Sequence, residues 1–421
     1  MKITFHGGAR EVGGSCIVVE TDDAKVALDY GMKVEEGISD SLPKDLDAAI
    51  ISHAHLDHSG NLLNLAKTNT VVVGSEATRD ITTELLRDLI KVQRMNGKSA
   101  PYSQSDVAKI RKLWWARDSI ALPGMEIRLY PAGHVLGANM IGVKVKEKEI
   151  LYTGDFCLHD TEILEGSNLI KLPKQPEALI VESTYGGKTR LNRSELLERL
   201  FAKINEAIDR NGNVLIPVFA FHRSQEMAKR IDQAMQKGVL PNYNAYTISK
   251  LAQKITGYFN CYKELLNEEI REQEEPFNYK HVKHLHRLEQ IVEPAIVICT
   301  SGFGLAGASR RLLADWASNK NDSVIINSGY IPPESPFTMI KEEGELIENG
   351  VKVPVKADVE QIDLSGHADQ AELVKLVKIL KPDQTFLVHG DLEQARALST
   401  KINMITNVEI PEKKETVIMK V

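Results

Sequence analysis

Cysteine is scarce in this chain, with four in 421 residues. Cys16, Cys157, Cys261 and Cys299 form no C-x-x-C pair, which argues against a disulfide-stapled scaffold or a thiolate zinc finger and leaves them as reduced thiols. Long apolar runs are missing too. The longest, such as 213–221 and Ala295–Cys299, fall well short of the roughly 18 residues that suggest a membrane span, so no membrane role is expected. Basic residues are not in excess. A net charge of −6 argues against a generally basic nucleic-acid coat, although a local positive groove remains compatible with it. The first residues, Met1-Lys2-Ile3-Thr4-Phe5, lead into a strand rather than an apolar signal region, so the expected compartment is the cytoplasm. There is no internal repeat or low-complexity linker. What is present, 43 % apolar and 26 % charged residues, describes a folded chain of two or three domains.

Its pattern is α/β. Short runs rich in Val, Ile, Leu or Ala at 26–29, 48–52, 70–73, 149–153 and 178–182 read as buried strands. Between them, 75–95 carries Ile81, Leu85, Leu86, Leu89 and Ile90 at helical spacing. A second α/β stretch begins near Leu191, with a helix over 194–210, a strand over 214–219 and a helix over 226–236. A charged zone at 264–287, a strand at 295–299 and a helix at 309–318 follow. From Asp363 onward the pattern predicts a strand, a helix at 370–380, a strand at 385–388 and a helix at 392–402.

The histidines carry the strongest signal. His53-Ala54-His55-Leu56-Asp57-His58 directly follows the apolar strand 48–52, and ligands of open α/β sheets bind beyond the carboxyl ends of strands. If the chain stays extended through His55, His53 and His55 project to one side and can share a metal. Asp57 and His58 lie where the chain turns into a helix expected near Gly60, so they can address a second position. His134 in Pro131-Ala132-Gly133-His134, Asp155 in Tyr152-Thr153-Gly154-Asp155 and His389 in Phe386-Leu387-Val388-His389-Gly390 share this strand, ligand and glycine-flanked turn. Imidazole and carboxylate donors suit zinc, with manganese or iron as alternatives, and Asp155 is the expected bridge between two ions. A lone histidine is usually a surface or hydrogen-bonded residue, and His6, His159 and His222 are left with that reading or open. His281, His284 and His286 fall in the charged zone, read as a solvated face.

These residues resemble the metallo-β-lactamase superfamily, and within it the β-CASP nucleases of the group that holds the cleavage and polyadenylation specificity factor endonuclease and ribonuclease J. Gly8 to Cys16 looks like that group's first turn. Asp29 matches the first superfamily motif, His53 to His58 the second, His134 the third and Asp155 the fourth. His389 comes 234 positions after Asp155, so a whole domain is inserted. Glu182 in Glu182-Ser183-Thr184-Tyr185-Gly186 resembles motif A, His367 in Ser365-Gly366-His367-Ala368-Asp369 motif B, and His389 motif C, where histidine rather than valine favours RNA over DNA. Two departures stand out: His222 occupies a position that is usually glycine, and Ile331-Pro332-Pro333-Glu334-Ser335-Pro336-Phe337 replaces a glycine, threonine and arginine pattern.

The resemblance implies an αββα sandwich over 1–188 and 356–421, with an α/β β-CASP domain inserted at 189–355. It implies two zinc ions, one held by His53, His55, His134 and Asp155, the other by Asp57, His58, His389 and Asp155. It also implies hydrolysis of RNA by a metal-bridging hydroxide, endonucleolytic, 5′-to-3′ exonucleolytic or both. His367 is expected as general acid, with Glu182 orienting its ring, and Asp29 as an anchor behind the metal loop. Arg223, Ser301, Arg310 and Arg311 are weaker candidates for phosphate contact. RNA is the expected partner, and a homodimer or an RNA-processing complex the expected assembly. Two other readings compete: a hydrolase of a small ester, thioester or lactam leaves the insert and His367 unexplained, and a non-catalytic scaffold subunit is at odds with a complete ligand set.

Overall fold

A computed structural model describes residues 1–33, 36–39, 41–95, 101–348 and 350–420. The chain divides into two compact units, Met1–Thr189 with Gly366–Val421, and Arg190–Ser365.

The first unit is built on two seven-stranded sheets. One runs in the order Thr416–Ile418, Lys2–Gly7, Cys16–Glu20, Lys25–Leu28, Ala48–Ile50, Val71–Gly74 and Trp114–Ala116. The other runs Asn407–Glu409, Gln384–Val388, Ala178–Glu182, Lys148–Tyr152, Asn139–Val145, Met125–Pro131 and Ser119–Leu122. Alternation along each strand decides the layers, because successive side chains face opposite ways. Ile3, Phe5, Ile17, Val19, Val26, Leu28 and Ile50 meet Ile127, Ile141, Val143, Ile150, Tyr152, Ile180 and Phe386 between the sheets, with the Phe5 and Phe386 rings 5.3 Å apart. Cys16, Val18, Ala27, Ala49 and Ile51 point the other way, into a second core with Leu86 and Ile90 of the helix Glu76–Met95 and Val107 and Ile110 of Gln104–Leu113. Helices Gln370–Leu380 and Leu392–Ile402 bury Leu373, Leu376, Val377, Leu380, Ala395, Leu398 and Ile402. This is the expected metallo-β-lactamase αββα sandwich.

The second unit is a parallel six-stranded sheet, in the order Val282–His284, Asn244–Ile248, Ala295–Cys299, Val214–Pro217, Ser323–Ile326 and Asp358–Gln361. One face packs on Leu196, Leu200 and Ile204 of helix Arg193–Asp209 and on Met227 and Ile231 of Arg223–Gln236. The other packs on Leu312, Leu313 and Trp316 of Gly307–Trp316 and on Phe337 and Ile340 of Pro336–Glu343. Near-continuous apolar strands are what a sheet buried on both faces requires.

Three expectations change. The return to the first unit falls at Gly366 rather than 356, because Asp358–Gln361 pairs in parallel with Ser323–Ile326 and completes the inserted sheet. No strand follows Asp363 before the helix Gln370–Leu380. The charged zone contributes the edge strand Val282–His284, paired with Asn244–Ile248, so His284 belongs to a sheet rather than to a solvated face.

Candidate metal centre

The site lies within the first unit, at the carboxyl ends of its strands. Past strand Ala48–Ile50 the chain runs extended to His55, at φ −56° and ψ 143°, and then enters a helix at Leu56–Ser59, four residues earlier than expected. Entry this early places Asp57 and His58 in the first helical turn. Gly31 makes room for that turn: a Cβ there would lie 1.7 Å from the Asp57 carbonyl oxygen. Gly133, at φ 73°, shapes the turn before His134.

All seven expected ligand residues come together. His53, His55, His134 and Asp155 form one group and Asp57, His58 and His389 another, each with ligand atoms within 4.8 Å of one another. In the first group His55 Nδ1 lies 3.0 Å from His53 Nε2 and 3.3 Å from His134 Nε2, and Asp155 Oδ2 is 3.6 Å and 3.7 Å from the same two Nε2 atoms. In the second, His389 Nε2 lies 3.3 Å from His58 Nε2 and 3.2 Å from Asp57 Oδ2. Asp155 joins the two, with Oδ2 3.3 Å from His58 Nε2 and Oδ1 3.2 Å from His389 Nδ1.

The nitrogens facing away from these groups are anchored. His134 Nδ1–H donates to the Gly366 carbonyl at 2.8 Å, and His58 Nδ1 contacts Asp29 Oδ2 at 2.6 Å. Asp29 is fully buried, with φ 59°, and also accepts from Ser52 N at 2.7 Å, Ser52 Oγ at 2.8 Å and the Tyr152 hydroxyl at 2.8 Å. A ring fixed through one nitrogen offers the other at a set angle, as metal-binding histidines do. His389 has φ 46°; its N–H donates to the Gly8 carbonyl at 2.6 Å, and Thr184 Oγ1 donates to its carbonyl at 3.0 Å.

The donor chemistry fits a pair of divalent cations. Burial, together with neighbouring imidazoles, pushes His53 and His134 well below the ordinary histidine range, and burial takes His55 down to about 4 despite the pull of Asp57 and Asp155. These rings are neutral at pH 7, so lone pairs converge where there are too few protons to join them. His58 differs. Burial pushes it down, but Asp155, Asp29 and Asp57 more than reverse this and hold it well above the ordinary range. Burial works against ionised Asp57 and Asp155, yet His58 and His389 around each keep both carboxyls low. Asp155 Oδ1 is buried and takes no aligned hydrogen bond, despite its 3.2 Å approach to His389. An ionised carboxylate with Oδ2 facing His53, His134 and His58 and an under-satisfied Oδ1 facing His389 is what a bridging ligand offers. Neutral imidazoles and ionised carboxylates are the forms that bind zinc.

His367 stands beside these groups. Its Nδ1 lies 2.8 Å from Glu182 Oε2 and 3.9 Å from Asp155 Oδ2, and its ring stacks at 16° to His389 with centroids 6.2 Å apart. Glu182 is fully buried, its Oε1 accepting the Phe156 N–H at 2.9 Å. Glu182 also lies within ligand reach of Asp155 and His389.

The weaker candidates are engaged inside the second unit. Arg223 is buried, donating to Glu226 and, at 3.1 Å, to the Leu364 carbonyl; Arg193 and Arg230 reach the same Glu226 at 2.6 Å and 2.9 Å. The Arg223 guanidinium thus pairs with a buried carboxylate. Arg310 donates to the Ile347 carbonyl at 2.7 Å and pairs with Glu348. Ser301 Oγ accepts the Ala306 N–H at 3.2 Å, and exposed Arg311 lies 3.9 Å from Glu289. His222 adopts φ 68° at the start of helix Arg223–Gln236, which explains why glycine would suit that position. In 331–337, Ser335 caps the helix Pro336–Glu343.

Sequence reasoning missed Ser52, Tyr152 and Thr184. Ser52 and Tyr152 each adjoin a motif, but nothing in their own type or spacing marks them.

Three family models match successive parts of the chain: the metallo-beta-lactamase superfamily over 9–201, the Beta-Casp domain over 224–336, and a Zn-dependent metallo-hydrolase RNA specificity domain over 352–414. "Endoribonuclease YSH1" of Yarrowia lipolytica is 30 % identical over 423 residues, which cover 94 % of this chain and 51 % of that protein. "Probable RNase MJ4" of Methanocaldococcus jannaschii is 30 % identical over 421 residues, covering 94 % of this chain and 95 % of that one. Of several other curated relatives the chain spans only half to two thirds of the length. A solved structure of a protein of unknown function from Enterococcus faecalis V583 has the same fold, with TM-score 0.61, 15 % identity and 99 % of both chains covered. With the αββα sandwich, the inserted parallel sheet and His389 returned to Asp57 and Asp155, these matches establish that the chain belongs to the metallo-β-lactamase β-CASP ribonuclease family.

Proposed function

We infer that this protein hydrolyses RNA phosphodiester bonds at a dinuclear zinc centre, held by His53, His55, His134 and Asp155 on one side and Asp57, His58, His389 and Asp155 on the other. The observation that carries this reading is the placement of His389, whose two ring nitrogens lie 3.2 Å from Asp57 and from Asp155 although they are 332 and 234 positions away in sequence. The RNA specificity model over 352–414, the names of the relatives, and histidine at the last motif support RNA as substrate. The name of the Yarrowia relative supports cutting within the strand. Manganese is the alternative metal.

When bound, the cations would supply an activated water and positive charge for the phosphoryl oxygens. The chain's own residues do the rest. Asp29 holds His58 through Nδ1 and sets the angle of its Nε2. Ser52 binds Asp29 through both its N–H and its hydroxyl and fixes the loop above. His367 gives a proton to the departing ribose oxygen from Nε2, while Glu182, on Nδ1, orients the ring and stabilises its protonated form. Phe156 N–H keeps Glu182 turned toward His367.

End-labelled linear RNA with 5′ monophosphate, triphosphate or hydroxyl, together with circular RNA, tests the reading. Wild-type protein should cut with divalent metal, and Asp57→Ala or His389→Ala should abolish cutting while far-ultraviolet circular dichroism is unchanged. A folded Asp57→Ala protein with full activity would remove Asp57 from the ligand set. Cleavage of circular RNA identifies internal cutting, and its absence beside cleavage of linear RNA identifies attack from an end.

A further inference from the structure

Beyond the two groups above, a third set of ligand-type side chains converges in the first unit. Cys157, His159 and Glu372 each present a donor atom within 4.8 Å of the others. Cys157 Sγ lies 3.2 Å from His159 Nδ1, 3.4 Å from its Nε2 and 3.3 Å from its carbonyl oxygen. His159 Nδ1 lies 3.1 Å from Glu372 Oε1. We propose that these three residues form an additional site for a zinc-class divalent metal, a thiolate, imidazole and carboxylate set whose fourth position is left to water.

Distances support a metal here. A tetrahedral ion with zinc–sulfur near 2.3 Å and zinc–nitrogen or zinc–oxygen near 2.0–2.2 Å sets sulfur and nitrogen roughly 3.5 Å apart, and nitrogen and oxygen roughly 3.4 Å. Sγ to Nδ1 at 3.2 Å and Nδ1 to Oε1 at 3.1 Å lie about 0.3 Å inside those separations, and Sγ and Oε1 lie within 4.8 Å of each other, as do the donors of His53, His55, His134 and Asp155. Thiolate with imidazole is also a softer set than the nitrogen and oxygen donors of the main centre, and favours zinc over magnesium or calcium.

The donors are held before any metal arrives. Cys157 is buried, its N–H bonded to the Ala132 carbonyl at 2.9 Å and its carbonyl accepting the Ser167 N–H at 2.7 Å. Glu372 sits in the first turn of helix Gln370–Leu380, where Asp369 N–H reaches its Oε2 at 3.3 Å and its own N–H reaches Asp369 Oδ1 at 3.1 Å, leaving Oε1 to His159. The side chains of His159 and Glu372 are 30 % and 18 % exposed, so an ion has a way in. The metal would join two segments of the main centre: Cys157 and His159 follow Asp155 in the chain, and Glu372 follows His367. The Ala368 N–H to Phe156 carbonyl bond, at 2.6 Å, already links these segments, and the ion would lock their spacing.

The main centre has no thiolate among its donors, so cobalt separates the sites whether or not the ribonuclease reading holds. Full-length protein reconstituted with Co²⁺ should show a thiolate-to-cobalt charge-transfer band in the near ultraviolet. Cys157→Ser should remove that band and one metal equivalent per chain by elemental analysis, keeping the visible bands of the histidine and carboxylate sites. His159→Gln should weaken or remove the same band, which guards against a local fault in the serine variant. Asp57→Ala should keep it. A wild-type protein without the band, or one whose metal content matches that of both Cys157→Ser and His159→Gln, would overturn the proposal and leave the three residues as a hydrogen-bonded cluster.

Discussion

Replacing Glu182 by glutamine isolates charge from shape at the proton-donating pair. In the wild type, Oε1 accepts the Phe156 N–H and Oε2 faces His367 Nδ1 at 2.8 Å. Glutamine keeps one carbonyl oxygen for Phe156 and turns an NH₂ group toward His367. The ring must then accept at Nδ1, and its protonated form loses the carboxylate. Opposite charges about 4 Å apart at an effective dielectric of about 20 interact by about 4 kcal/mol. Allowing for the smaller desolvation of a neutral amide, a loss of about 2–4 kcal/mol is expected, which is about 30- to 1,000-fold in turnover. Protonated imidazole is the acting form, so weakening it makes His367 shed its proton at lower pH and moves the alkaline limb of the rate profile down. Single-turnover cleavage of a labelled RNA across pH 6–9, with metal content measured on the same samples, is the assay. Turnover within about threefold of wild type with an unmoved alkaline limb would refute the argument. Loss of metal from the variant would instead make Glu182 a ligand, a role its distance to Asp155 and His389 allows.

Asp29→Asn leaves four donors, Ser52 N, Ser52 Oγ, His58 Nδ1 and Tyr152 OH, facing a side chain with one acceptor oxygen; a cost of about 3–5 kcal/mol is expected, read as a drop of the unfolding temperature by about 6–20 °C. Gly31→Ala should displace the helical turn that carries Asp57 and His58, because the new Cβ would lie 1.7 Å from the Asp57 carbonyl; elemental analysis of the folded fraction should show metal loss. Metal-free protein should lose stability as pH falls from about 6.5 toward 4. His55 has a folded-state pKa of about 4 against an ordinary 6.5, so the unfolded chain binds more protons across that window and stability rises with pH there. His55 alone accounts for about 3 kcal/mol by this linkage, with His53 and His134 acting in the same direction. Thermal unfolding in chelator from pH 4 to 7 checks the sign, and a flat or falling curve would contradict it.

Much of this molecule is legible from residue order because its decisive features are local. The run His53 to His58 at the end of a buried strand, the helices at 370–380 and 392–402, and the apolar strands at 178–182 and 295–299 each follow from side-chain period and turn chemistry within about ten residues. The same strand-end and glycine-turn pattern carried the reading further, to His134, Asp155 and His389, and motif resemblance then divided them between two metals. Tertiary structure decided what depends on distant partners. It chose which nitrogen of each imidazole faces the ligand groups, by anchoring His134 on Gly366 and His58 on Asp29. It gave Tyr152 and Ser52 their place around Asp29, and bound Arg223 to a buried Glu226. It assigned Asp358–Gln361 to the inserted sheet, since a short strand is claimed by whichever neighbour offers a free edge. It also set His159, left with an ordinary reading or open from the sequence, between Cys157 and Glu372, residues 215 positions apart. Side-chain type fixes what a residue can donate or accept; only chain folding fixes what stands within 3 Å of it.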